Sequence, residues 1–312
     1  MNCGLHIGTC SWKFPAWTGL VYSGLPGTET LTEYAGRYGC VEIDQWYWSL
    51  FGADKVALPR ARDVESYAAA VPEGFRFAVK LPDALTLTHL RPKGGRALVP
   101  NPHFLSPDLL RTFMSCLEPM RGKLGPLMLQ FGYLNRQMIA SQGAFLERLG
   151  AFADGLPQGL TWGVETRNPA WLNGTHFRFL KERGLAHVFE QGYYMPPVAE
   201  VYAKHADALG GTCVVRMHGQ DREGLEKRVG KDWSRIVTPR DAELAALVEP
   251  LKDMLSKRKN AWVFVNNHFE GCAPKTIERL REMMAAAGDG NALPSLTGGD
   301  WRLANGNIKG TI

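Results

Sequence analysis

Nowhere in these 312 residues does an uncharged apolar run reach the length of about eighteen that a membrane-spanning helix needs. The first dozen residues hold neither a basic leader nor a sustained apolar stretch of the kind that directs secretion. Both absences predict a soluble, cytoplasmic protein with no membrane partner. Cysteine is sparse, and the six present (Cys3, Cys10, Cys40, Cys116, Cys213 and Cys272) never fall at CxxC spacing. They read as reduced core thiols rather than as a disulfide framework or a zinc site. No GxGxxG, Walker loop, HExxH or GxSxG stands in the required strand and helix context, so the common dinucleotide, NTPase, zinc-protease and hydrolase signatures are missing. A net charge of +5 is small for this length and does not announce a nucleic-acid partner.

What is present is an ordinary globular composition, 45% hydrophobic and 21% charged, enough to offset the entropy of ordering the chain. Short apolar runs rich in β-branched residues recur at 6–11, 40–44, 76–81, 126–131, 161–166, 186–190, 213–218 and 261–266. Segments of helical spacing separate them. Phe145, Leu146, Leu149 and Phe152 share one face over 143–152, and Leu244, Leu247, Val248 and Leu251 share another over 240–255. Thr238 is placed to cap that second helix and Pro239 to begin it. Ile277, Leu280 and Met284 mark a last helix over 274–284. A helix after a strand carries the chain back to the starting end, so the strands are parallel. Eight such units predict one α/β domain over residues 1–287, a single (β/α)₈ TIM-type barrel. The Gly- and Asn-rich stretch 288–312 is expected to be an irregular tail, docked through Trp301 if at all. The longest interruption, 85–107, has the length of a lid or binding loop.

Polar residues close nearly every run: Ser11, Glu42 and Asp44, Lys80, Gln130, Glu165 and Arg167, Glu190, Arg216 and His218, then Asn266 and Asn267. In a barrel these ends converge on one face, where the active sites of this fold are built. Charge at the end of a buried strand is costly unless paired, so these groups need one another or a ligand. Cations (Lys80, Arg167, Arg216), carboxylates (Glu42, Glu165) and the imidazole of His218 together make an acid–base set with an anion clamp. Glu165 and Arg167 alternate along one strand, so both side chains point to one side. Among the aromatics, Trp12 and Tyr47 directly follow strand ends and are expected to face the pocket. Trp17, Trp46, Trp48 and Trp171 read as packing residues. Glu42, Glu165, His218 and His268 could be offered to a metal ion, but three neighbouring cations oppose it, and neither metal nor cofactor is expected. The basic residues of 216–240 are interleaved with acids and read as a solvated loop and helix face.

Several blocks resemble the DUF72 (YecE-like) family. They are GTCSW (residues 8–12), VEIDQWYW (41–48), FRFAVKLP (75–82) with Thr88 and His89, LGPLMLQF (124–131), VETRNPAW (164–171), VVRMHG (214–219) and FVNNHFEGCAP (264–274). The resemblance implies a (β/α)₈ barrel and names no reaction. Carried over, it implies functional positions at Glu42, Lys80, His89, Gln130, Glu165, Arg167, Arg216, His218, Asn266 and Asn267. The chain departs from the family pattern at Asp44, at Glu190–Gln191 and after Gln130.

These residues predict an enzyme, a hydrolase or an isomerase, doing acid–base chemistry on a small polar substrate with an anionic group. Glu42 and Glu165 are the candidate base and acid, and His218 is an alternative proton carrier. Lys80 joins the catalytic set and shares the anion with Arg167 and Arg216. Gln130, Asn266 and Asn267 orient hydroxyls or carbonyls, with Trp12, Tyr47 and His89 completing the binding residues. Two alternatives stand beside this reading: a metal-assisted, endonuclease-like barrel acting on nucleic acid, and a non-catalytic small-molecule binding protein. Nothing in the sequence fixes an oligomeric state.

Overall fold

The computed structural model describes residues 4–52, 55–90 and 98–287. Strands β1 (Leu5–Thr9), β2 (Cys40–Ile43), β3 (Arg76–Lys80), β4 (Leu124–Phe131), β5 (Trp162–Thr166), β6 (Ala186–Gly192), β7 (Thr212–Gly219) and β8 (Asn260–Val265) follow one another around a closed barrel. Every pair is parallel, including β1 with β8, which closes the ring through five register pairs from Leu5↔Ala261 to Thr9↔Val265. The (β/α)₈ expectation holds. Apolar runs map onto strands with ends displaced by a residue or two, as frayed termini allow. No helix among the described residues is long and apolar enough to cross a membrane.

Period-2 alternation divides each strand between two cores. One parity, including Val41, Ile43, Phe77, Val79, Leu127, Leu129, Val215, Met217, Val263 and Val265, packs outward in one continuous core with the helices. The other parity points into the barrel, where Cys10, Cys40, Ala78, Met128, Val188, Val214, Trp262 and Phe264 form a separate inner cluster. Continuing the inner parity toward the C-terminal ends gives Glu42, Lys80, Gln130, Glu190, Arg216 and His218. The interior is therefore apolar in its lower part and charged at its mouth. Gly8 is required where β1 meets β2, because a Cβ there would lie 2.1 Å from the Cys40 carbonyl oxygen.

Helices Gln142–Ala153, Asp241–Ser256 and Ala273–Ala286 bury the faces that their spacing predicted. The second of them does not begin as expected. Its N-cap is Arg240, without a side-chain cap, so neither Thr238 nor Pro239 starts it. Glu270 fixes the chain leading into it: its carbonyl accepts from the amides of Val237 and Thr238, and its carboxylate accepts from the Arg240 amide at 2.6 Å. The long segment after β3 is pinned by the buried side chain of Asn101, whose Nδ2 donates to the carbonyls of Ala84 and Leu87 at 2.8 and 2.6 Å. Beyond it, Ser106 caps the helix Pro107–Cys116. The expected tail, 288–312 with Trp301, lies outside the described residues.

Candidate functional site

Arg216 occupies the centre of the barrel mouth and is 2% exposed. Its Nε and NH2 donate to Glu42 at 2.8 and 2.7 Å, and NH1 donates to Gln130 Oε1 at 2.9 Å and Glu165 Oε2 at 2.7 Å. The other Glu165 oxygen accepts from Arg167 Nε at 2.5 Å. As alternation required, Glu165 and Arg167 lie on the same side. Arg167 continues outward, donating from NH2 to Glu190 Oε2 at 3.1 Å, and Glu190 in turn holds His218 Nδ1 at 3.0 Å. An unbroken chain thus runs Glu42, Arg216, Glu165, Arg167, Glu190, His218 through four strands or their ends. Charges this deep are tolerable because nearly every polar atom has a partner of opposite sign or complementary hydrogen-bonding type.

Position in the chain decides each protonation state. Burial pushes the Glu165 carboxyl up, but Arg167 and Arg216, one on each oxygen, outweigh it and hold it at about 2. Glu190 goes the other way: burial pushes it up to about 8, with the like charge of Glu165 adding to the effect and Arg167 and Arg216 opposing it. Burial lowers the His218 imidazole well below the ordinary value, helped by Arg216 and Arg167. His218 is neutral at neutral pH.

Above this chain lies a cavity of about 410 Å³. Its walls include Lys80, Arg167, Arg216, Arg222, His218 and His268 on the basic side, Asp44, Gln130, Asn266 and Asn267 among the other polar groups, and Phe14, Trp17, Tyr47, Trp48 and Tyr193 among the aromatics. Lys80 Nζ sits 3.7 Å from the centre of the Tyr47 ring, and Arg167 lies 4.4 Å from that of Tyr193. At the edge, Glu226 accepts from Arg222 Nε at 2.9 Å and meets His268 Nε2 at 2.8 Å, while Asn266 Oδ1 holds His268 Nδ1 at 2.6 Å. Asn267 Oδ1 accepts from the Ala273 amide at 2.8 Å, and its buried Nδ2 has no partner among the described residues. Cys10 also lines the cavity, but burial raises its thiol far above the ordinary value, so it is not a thiolate nucleophile. Among the described residues no group of three His, Cys, Asp or Glu side chains is arranged to hold a metal ion.

The structure brings Lys80, Tyr47, Gln130, Arg167, Arg216, His218, Asn266 and Asn267 to the cavity wall. Glu42 and Glu165 lie beneath it, fully buried and engaged by arginine. Trp12 turns into the core, edge-on to Tyr67 with ring centres 5.0 Å apart. His89 stays on the long segment after β3, its Nδ1 3.0 Å from Thr88 Oγ1, and does not reach the wall. Tyr193 and Arg222 were not singled out by sequence reasoning. Tyr193 gave no signal, since its place over Arg167 depends on a left-handed backbone with φ +48°. Arg222 was one of several basic residues after β7.

Eight parallel strands with polar ends around one cavity define the class: a TIM-type barrel with its candidate site on the C-terminal face. A family model described as "Protein of unknown function DUF72" matches residues 6–297, and the chain belongs to that family. A DUF72 family protein of Enterococcus faecalis V583 is similar in structure, with a TM-score of 0.64 at 19% identity over 91% of this chain and 97% of that one. Another, from Thermotoga maritima MSB8, gives 0.63 at 21% identity over 90% and 99%. At these identities the likeness concerns the fold. No curated protein matches the sequence.

Proposed function

We propose that the barrel mouth is the active site of a hydrolase or isomerase that moves a proton on a small polar substrate bearing an anionic group. The observation that carries this reading is the contact of His218 Nδ1 with Glu190, 3.0 Å, at the wall of a cavity that also presents Arg167, Arg222 and Lys80. When the pair holds one proton, Nδ1–H donates to the Glu190 carboxylate and Nε2 is free to accept. When it holds two, Nε2 carries a hydrogen it can give away. One dyad therefore serves as base or acid, and the change between the two forms belongs to the pair rather than to either residue.

Glu42 and Glu165, the acid and base that the sequence first suggests, support this scheme from below by fixing Arg216 and Arg167. Arg167, with 15% of its side chain exposed, is placed to meet a substrate carboxylate or phosphate through its planar fork. A small ligand fits better than nucleic acid, because Arg222, Arg228 and Arg235 of the basic stretch are each paired locally, with Glu226, Asp221 and Asp232. Free thiols at Cys10, Cys40, Cys116, Cys213 and Cys272 support a reducing, cytoplasmic setting.

Calorimetric titration with inorganic phosphate, malonate and a short single-stranded DNA tests the reading. The small anions should bind the parent protein and bind Arg167→Ala about tenfold more weakly, the usual size of one lost charge-assisted contact. Equal affinity in parent and Arg167→Ala, or DNA binding that is tight at physiological salt, would sink it.

A further inference from the structure

Lys80 differs from the two arginines that share its end of the barrel. Arg167 and Arg216 are each clasped by carboxylates at 2.5 to 3.1 Å. Lys80, the last residue of β3, makes no ion pair and no hydrogen bond among the described residues, and its ammonium group rests on the face of Tyr47. Its neighbours by charge are Arg216 from β7, Glu42 and Asp44 from β2 and the turn after it, and Glu165 from β5. Burial and Arg216 outweigh the carboxylates and bring the amine down to about 8. At pH 7 roughly a tenth of Lys80 is then neutral and nucleophilic, against less than about a thousandth of an ordinary lysine.

A half-buried amine without a directly bonded counter-ion among the described residues, facing a cavity that already offers an anion clamp, has the setting of a carbonyl-capturing lysine. We propose that Lys80 forms an imine with a small oxo-acid, an aldehyde or ketone carrying a nearby carboxylate or phosphate. The anionic end of the ligand rests on the reading of Arg167 given above. The Lys80 nitrogen lone pair attacks the carbonyl carbon, the carbonyl π pair moves to oxygen, and that oxygen takes the proton released by nitrogen to give a carbinolamine. Loss of the hydroxyl with one further proton forms the C=N bond and releases water. Asp44 lines the same cavity and is raised to about 6, first by burial and then by Glu42, so it is suited to supply that proton. The resulting iminium withdraws electrons from the adjacent carbon, whose proton His218 Nε2 accepts when the His218–Glu190 pair holds a single proton. No oxidant or reductant is consumed.

Reductive trapping tests the proposal. The full chain is incubated at pH 7 with sodium cyanoborohydride and either glyoxylate or propionaldehyde, and the modified lysines are mapped by peptide mass spectrometry. Hydride addition to the iminium carbon leaves a stable secondary amine. Lys80 should be modified about a hundredfold faster than the typical surface lysine by both aldehydes, reflecting its larger neutral fraction. Glyoxylate should be preferred at Lys80, and Arg167→Ala should remove that preference while propionaldehyde still labels. Lys80→Arg should still unfold cooperatively in a thermal melt, which shows that the variant is folded, and should lose the fast label. Labelling of Lys80 no faster than surface lysines, in a protein that still binds phosphate, overturns the imine and leaves the anion pocket standing. Fast labelling by both aldehydes without any preference for glyoxylate, in a protein that fails to bind phosphate, supports the nucleophile and removes the anion pocket.

Discussion

Arg216 and Glu42, 174 residues apart in the chain, face each other across the barrel interior through a two-pronged contact of 2.8 and 2.7 Å. The same guanidinium also reaches Gln130 and Glu165, so one side chain from β7 ties down groups from β2, β4 and β5. Arg216→Ala leaves two buried carboxylates short of a partner and should cost about 3–5 kcal/mol in urea unfolding. Arg216→Lys should recover little of it, since an ammonium cannot reproduce the fork. A loss under about 1 kcal/mol for the alanine variant would show that water reaches these carboxylates.

Arg167→Ala should be milder, because Glu165 keeps Arg216 and the Arg167 side chain is partly exposed. We expect about 1–3 kcal/mol, the cost of leaving one buried acceptor unsatisfied. Adding Glu165→Gln to Arg167→Ala should recover part of the loss. A double variant that simply sums the two single losses would mean that the pair is not coupled.

Stability should fall between pH 6.5 and 8, and Glu190 is the reason. A carboxyl raised from 4.5 to about 8 binds its proton more tightly in the folded state, so its contribution is complete below 4.5 and disappears as pH climbs through 8. The lowered histidines act below 6.5, and Lys80, lowered to about 8, acts above that value, which leaves the window largely to Glu190. Thermal melts at pH 6.5 and 8 should differ for the parent and coincide for Glu190→Gln. An unchanged slope in the variant would assign the effect elsewhere.

Tyr194 follows Tyr193 in the left-handed region, with φ +63°, and its ring is 86% exposed. The Cβ penalty of that conformation is about 1 kcal/mol, and hardly any packing offsets it. Tyr194→Gly should leave stability unchanged or raise it by up to about 1 kcal/mol, whereas Tyr194→Ala, which keeps the Cβ, should gain nothing. Equal gains from both variants would point to removal of the exposed ring rather than to relief of strain.

The barrel was legible because period-2 alternation and β-branched runs are local signals, and parallel pairing follows from the helices between them. The charged layer was legible for the same reason: Glu42, Lys80, Gln130, Arg216 and His218 each extend an inward parity set by apolar residues earlier in the strand. The partnership of Glu190 with His218 was not, since it depends on β6 and β7 aligning Glu190 with Arg216, a register that no single strand encodes. Trp12 misled because side-chain direction is no longer fixed once the strand has ended at Thr9. Thr238 misled because Glu270, 32 positions further on, takes the amides of Thr238 and Arg240, and the helix begins only at Asp241.

The six-membered chain from Glu42 to His218 also constrains how this barrel can diverge. Arg216 and Glu165 each hold two others of opposite sign, so a neutral replacement at either position strands a neighbour and is selected against before any question of catalysis arises. Viable lineages should therefore alter these positions in compensating pairs, with Arg216 the slowest to drift because it has the most partners. The cavity wall above, at Tyr193 and Trp48, is built from turns and loops rather than from the strands that carry that chain. Changes in substrate preference should accumulate there, in the loops, over a floor that stays fixed.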